Sequence, residues 1–194
     1  MINAQIKITG VTALLMHSDQ LADPLWDGTK AMKRISSKRT KTDADHESMA
    51  EMEFRSALYL DADGAVAIPY RNIVKCLIEG ARITKSGAKV ERGLAAMGTD
   101  FTLTYPGSPL TPADLYSRKE FVSRMSVKVG QQRVMRVRPM FRQWGLTVDV
   151  MTDPAVLGIE ELADIAMNAG QMVGLGDYRK GGGFGRFNAS VSLI

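Results

Sequence analysis

Residues 174–187 read Gly174-Leu-Gly-Asp-Tyr-Arg-Lys-Gly-Gly-Gly-Phe-Gly-Arg-Phe187. Six glycines fall between positions 174 and 185. Without a Cβ, such a segment can turn through left-handed backbone and let another chain segment come close. Its flanks fix its place. Leu162, Ile165, Ala166 and Ala169 recur at helical spacing before it. Phe187, Ala189, Val191 and Leu193 alternate with Asn188, Ser190 and Ser192 after it. The segment therefore joins a helix to a strand. A dinucleotide fingerprint runs the other way, from strand to helix. No Gly-x-x-x-x-Gly-Lys-Ser/Thr occurs. What stays open is a tight connection or an anion-holding loop. Arg179, Lys180 and Arg186 supply charge there, and exposed amides can nest an anion. Tyr178 and Phe184 can stack on bases or pack the loop.

The rest of the chain predicts a mixed architecture. Ile2, Ala4, Ile6 and Ile8 alternate with polar residues, a half-buried strand. Residues of about 13–58 form a long insertion with short helical pieces, the last over 43–58. A short strand at 66–68 leads into a helix opened by Pro69, with Ile73, Leu77, Gly80 and Ala81 on its inner face. Phe101, Leu103 and Tyr105 predict the next strand. A second insertion of about 107–142 contains a basic hairpin, and Leu146, Val148 and Val150 give another strand. The order is βαββαβ: an α+β, ferredoxin-like (RRM-like) core with long basic insertions, in one domain over 1–194.

Charge is unevenly spread. The net charge is only +4. Yet Lys30, Lys33, Arg34, Lys38, Arg39 and Lys41 lie in one stretch without an acid. Arg124, Lys128, Arg133, Arg136 and Arg138 mark the hairpin, while acids gather in 43–63 and 149–164. Such segregation marks a polyanion-binding face, against the plainer reading of solvated loops.

Little points to catalysis. His17 and His46 are the only histidines. His17 follows the first strand and is the one candidate general base, although a loop histidine without a catalytic role is the favoured reading. Asp19, Asp23 and Asp27 can be read as a Mg²⁺ cluster or, preferably, as loop acids. Cys76 stands alone, which excludes an intrachain disulfide and a cysteine zinc site and fits a reducing cytoplasm. No metal and no cofactor is expected. No signal peptide and no membrane-spanning stretch is expected either.

The glycine segment leading into the last strand, together with Ile68-Pro69-Tyr-Arg-Asn-Ile-Val-Lys-Cys-Leu77, resembles the RAMP superfamily (repeat-associated mysterious proteins of CRISPR systems). The likeness is to the backbone subunit that polymerises along a guide RNA. The resemblance implies that the N-terminal end of the first helix meets nucleic acid and that 107–142 corresponds to a thumb-like hairpin. Leu15-Met-His-Ser, Lys38-Arg-Thr-Lys-Thr42, Ser126-Val-Lys-Val and Arg136-Val-Arg-Pro139 resemble uncharacterised phage and prophage proteins more closely. That implies a stand-alone relative in the bacterial cytoplasm.

The expected function is non-catalytic binding of single-stranded DNA or RNA, with assembly as a homo-oligomer or helical filament along the strand. The expected contacts are Lys38, Arg39, Lys41, Arg71, Lys75, Arg133, Arg136, Arg138, Tyr178, Arg179, Lys180, Phe184 and Arg186. The first alternative is a phage or prophage protein-interaction or assembly subunit. The second is a RAMP-like, metal-independent endoribonuclease using His17.

Overall fold

A computed structural model describes residues 1–194, the side chain of Val129 excepted. Its strands are β1 (Ile2–Gly10), β2 (Leu14–Leu15), β3 (Ala67–Pro69), β4 (Leu94–Ala96), β5 (Asp100–Thr102), β6 (Val122–Val129), β7 (Gln132–Phe141), β8 (Gly145–Thr152) and β9 (Phe187–Leu193). Its α-helices are α1 (Asp27–Ser36), α2 (Asp43–Ser56), α3 (Tyr70–Ala81), α4 (Gly87–Gly93), α5 (Pro112–Ser117), α6 (Ile159–Asn168) and α7 (Arg179–Gly182). The fold is α+β with antiparallel sheets. No helix among the described residues is long and apolar enough to cross a membrane.

The chain divides into two compact units. The first comprises residues 1–14, 60–109 and 142–194; the second comprises 15–59 and 110–141.

In the first unit the central sheet has the order β4-β8-β1-β9, every neighbouring pair antiparallel. Ala4, Ile6 and Ile8 of β1 lie on the same buried face as Leu146, Val148 and Val150 of β8 and Phe187 of β9. This is the period-two alternation made physical, each buried aliphatic side chain contributing roughly 1.5–3 kcal/mol. Helix α6 packs on β9, and α3 packs beside α6. Glu160 and Glu161 occupy the first turn of α6, where they complement the helix dipole. The other sheet face is polar: Asn3, Lys7, Thr9, Thr147, Asn188 and Ser190 are exposed.

One strand differs from expectation. Residues 101–105 do not supply the second strand of this sheet. Asp100–Thr102 pairs with Ala67–Pro69 in a separate two-stranded sheet. The place in the main sheet goes to Leu94–Ala96, which pairs with β8 in the register Leu94↔Thr152 and Ala96↔Val150. Three small apolar residues are too short to show a period, whereas Phe101, Leu103 and Tyr105 show one because all three are buried.

In the second unit, β6 and β7 form an antiparallel hairpin in the register Val122↔Pro139 to Val129↔Gln132. Helix α2 lies along β7. A capping box starts α2: the Thr42 side chain takes the Asp45 N–H, and the Asp45 carboxylate takes the Thr42 N–H. The same device, Thr111 with Asp114, starts α5, where Pro112 needs no amide partner. Phe54 of α2 is fully buried and meets Tyr116 edge-on at 5.3 Å. Phe121 and Phe141 close the core beside the hairpin base, with ring centroids 5.7 Å apart.

Candidate functional site

The glycine segment of the first unit has a defined shape. A π-helical turn, Ala169–Val173, extends α6. Gly174 then takes φ +80°, and Gly176, Gly183 and Gly185 are also left-handed. Gly185 is the tightest position: a Cβ there would lie 1.7 Å from the Leu175 carbonyl oxygen. Tyr178, a non-glycine residue, is left-handed at φ 51°. Its ring lies over Gly182, where a Cβ would come within 2.3 Å of it. The Tyr178 and Phe184 rings are 6.1 Å apart and tilted, so each packs against the other. Tyr178 nevertheless remains 56% exposed.

Several polar groups of this segment are already engaged. Leu175 N–H donates to the Gly185 carbonyl at 2.9 Å, and Gly185 N–H donates to Ala13 at 2.8 Å. Arg186 N–H donates to the Thr12 hydroxyl, which donates to the Gly183 carbonyl. The Cys76 thiol donates to the Gly174 carbonyl at 3.2 Å. Burial pushes that thiol up to about 12, so it stays protonated and keeps donating. The anion nest expected from open amides is thus partly filled by the fold itself.

The expected contact cations of this unit lie on α3 and on the glycine segment. Arg71, Lys75 and Glu79 are four residues apart, hence on one helix face. Arg71 and Lys75 are exposed. Glu79 faces Arg179 at 3.6 Å, and Arg179 also reaches the Gly174 carbonyl at 3.5 Å. Arg186 Nη2 donates to the Arg179 carbonyl at 3.4 Å, while its buried Nη1 has no hydrogen-bond partner. Lys180 is exposed and enters no ion pair among the described residues. Seven of the expected contacts, from Arg71 to Arg186, therefore lie on α3 or on the loop tied to it.

The second unit holds the other six, and treats them differently. Lys38 is paired with Asp45 at 2.6 Å. That bond, ahead of the Thr42 backbone, holds the Asp45 carboxyl down at about 2. Lys41 Nζ donates to the Lys38 carbonyl. Arg39 is exposed without an ion pair among the described residues. Arg133 donates to the Ser126 hydroxyl at 3.4 Å. Arg136 pairs with Glu53 at 3.2 Å. Arg124 pairs with Glu47, which also takes the Tyr116 hydroxyl proton in a hydrogen bond. The acids at 43–63 thus fold back onto the basic hairpin instead of standing apart from it.

His17, Glu53, Arg136 and Arg138 line a recess of about 290 Å³ in this unit. The His17 carbonyl accepts the Tyr59 hydroxyl at 3.0 Å. Burial, then Arg138, lowers the proton affinity of the His17 ring below the ordinary histidine value. Glu53 was not singled out by the sequence; a glutamate on a helix of mixed charge carries no local signal. Asp23 accepts the Leu25 N–H and Asp27 pairs with Lys30. Among the described residues no group of three or more His, Cys, Asp or Glu is placed to hold a metal ion.

No protein-family model matches the chain. No curated protein is similar to it in sequence.

Proposed function

We propose that the protein binds single-stranded nucleic acid without cleaving it, on a ferredoxin-like, RRM-like core related to the RAMP superfamily. Numbered by their order within the core, the strands run fourth, first, third, second across the sheet. A helix follows the first strand (α3) and the third (α6). That arrangement supports the ferredoxin-like reading.

The observation that carries the functional reading is the tie between Arg179 and Glu79. It holds the glycine segment to the α3 face that bears Arg71 and Lys75. Cations to grip phosphates and an exposed aromatic ring, Tyr178, to stack on a base then belong to one unit. The open sheet face carries no aromatic side chain on its strands, so stacking falls to the loop instead. A strand gripped mainly through phosphates is read without sequence preference, and successive copies can assemble along it.

Fluorescence anisotropy of a labelled single-stranded oligonucleotide tests this. Log affinity falls linearly with log salt, with a slope of about −0.7 per phosphate neutralised. Tyr178→Ala weakens binding by about 1–3 kcal/mol if a base stacks there. Affinity that is absent at low salt, or indifferent to salt, contradicts the reading.

A second reading has its own support. Lys38, Arg124 and Arg136 are each paired with an α2 acid, so the local field of the second unit's basic stretches is weaker than that of unpaired cations. That surface suits a protein-assembly role. A large oligomer formed without nucleic acid, measured by light scattering, favours it.

A further inference from the structure

The recess in the second unit is built from residues far apart in sequence. His17 precedes α2, Glu53 lies in its last turn, and Arg136 and Arg138 are on β7. We propose that this recess binds a phosphomonoester group, either on a small molecule or at the end of a polynucleotide. The inference goes beyond strand binding and does not need it.

Arg136 and Arg138 are two residues apart on one strand, so both side chains leave the same face, roughly 7 Å apart at the backbone. Guanidinium groups present planar forks of donors that match phosphate oxygens. Glu53 offsets part of their charge and orients one of them. One of its oxygens takes Arg136 Nη1 and the other takes the Val137 N–H, each at 3.2 Å. It orients Arg136 while its charge also acts on Arg138 and His17, and its side chain is only 16% exposed. A recess of about 290 Å³ lies at the small end of ligand pockets, roughly 300–1,000 Å³. It suits one compact group better than a length of strand.

His17 supplies selectivity for a dianion. His17 is exposed as a residue, but desolvation of its ring, then Arg138, lowers its proton affinity, with Glu53 opposing, Arg136 adding and Asp19 opposing. A phosphomonoester brings nearly two negative charges at neutral pH, its second pKa being about 6. Placed beside His17, it reverses the effect of the arginines and raises the ring's proton affinity. The ring then becomes a third cationic donor beside the two guanidinium groups. A backbone phosphodiester brings one charge and does this less well.

The test uses the full chain at constant ionic strength, read by NMR of the imidazole protons, first on adding inorganic phosphate at fixed pH and then in pH titrations in phosphate and in chloride. His17 and His46 are the only histidines. His46 lies two turns along α2 from Glu53, roughly 10 Å away, and serves as the internal reference. The His17 resonances are expected to move saturably, with a higher titration midpoint in phosphate than in chloride, while those of His46 stay in place. A silent His17, or both rings moving together, overturns the proposal. Arg138→Gln is expected to weaken the response about tenfold or more, the scale of one charge-assisted hydrogen bond. Arg136→Gln gives the same result if the first variant does not fold. An unchanged affinity in a folded variant also overturns it.

Matched oligonucleotides with a 5′-phosphate, a 3′-phosphate or neither separate the sources. Tighter binding of a phosphorylated end assigns the site to strand ends. A His17 response to inorganic phosphate without any end preference assigns it to a small phosphorylated compound. If no oligonucleotide binds and His17 still responds, the strand reading falls and the recess stands. If all oligonucleotides bind alike and His17 is silent, the recess falls and the strand reading stands.

Discussion

The glycine segment and the β6–β7 hairpin are both basic in sequence, yet the fold restrains their cations by different means. In the glycine segment the restraint is largely backbone. Carbonyls of Gly174 and Arg179 take Arg179 and Arg186, and the Glu79 carboxylate takes Arg179 as well. Along the hairpin the restraint is carboxylate, with Glu47 and Glu53 of α2 taking Arg124 and Arg136. A cation held by a carbonyl keeps its full charge for a partner. A cation held by a carboxylate offers an oriented fork but little net field. The first arrangement suits gripping a polyanion; the second suits a small anion in a shaped recess.

The largest expected effect breaks the backbone side of this comparison. Gly185→Ala forces a Cβ into the Leu175 carbonyl at a left-handed position. It is expected to cost more than about 3 kcal/mol, or to prevent the first unit from folding, in a denaturant titration. Gly183→Ala shares the left-handed backbone, φ +69°, but meets nothing within 4 Å. Its cost is expected near 1–2 kcal/mol. Equal costs for the two would mean that the close approach is not what shapes the segment.

Cys76 makes the first unit separately observable. It is the only cysteine, buried, and its thiol is protonated. A thiol reagent is expected to react with the native protein only through opening of that unit, and much faster in Gly185→Ala. Rapid native labelling contradicts the packing of α3 against the glycine segment.

The carboxylate side gives smaller effects. Glu53→Gln is expected to cost about 1 kcal/mol, because Arg136 is 40% exposed and water replaces part of the pair. The same change lowers the His17 midpoint further, since Glu53 is one of the groups raising it. A rise instead would contradict the recess geometry.

The smallest is an acid titration of Lys38→Gln. Asp45 is held at about 2 in the folded protein, below its ordinary value of 3.8. Its contribution is therefore complete above about pH 4 and is lost as pH falls through about 2. In the variant the Asp45 carboxyl is expected to titrate closer to 3.8 by NMR.

The elements with a sustained period were legible in the sequence. β1, β8 and β9 alternate, and α3 and α6 carry their buried residues at helical spacing. The two capping boxes, Thr42 with Asp45 and Thr111 with Asp114, were not singled out in the sequence and came from the structure. β4 was not legible, because three residues have no period and its place is set by pairing with β8. The basic stretches were visible as charge, but their partners were not. Glu53 and Arg136 meet across 83 residues, and no local pattern records that. His17, Arg136 and Arg138 were each candidates on their own; only the fold brings them to one recess.

On the proposed reading, the α3 face and its glycine segment supply the field that holds a nucleic-acid strand. The direct measurement is the salt slope of single-stranded oligonucleotide binding for wild type, for Arg71→Gln with Lys75→Gln, and for Lys38→Gln with Arg124→Gln. The first pair is expected to reduce the slope by about 0.7 for each phosphate-contacting cation removed, while the second pair changes it less. A slope unaltered by the α3 pair, or lost with the Lys38 and Arg124 pair instead, would contradict it.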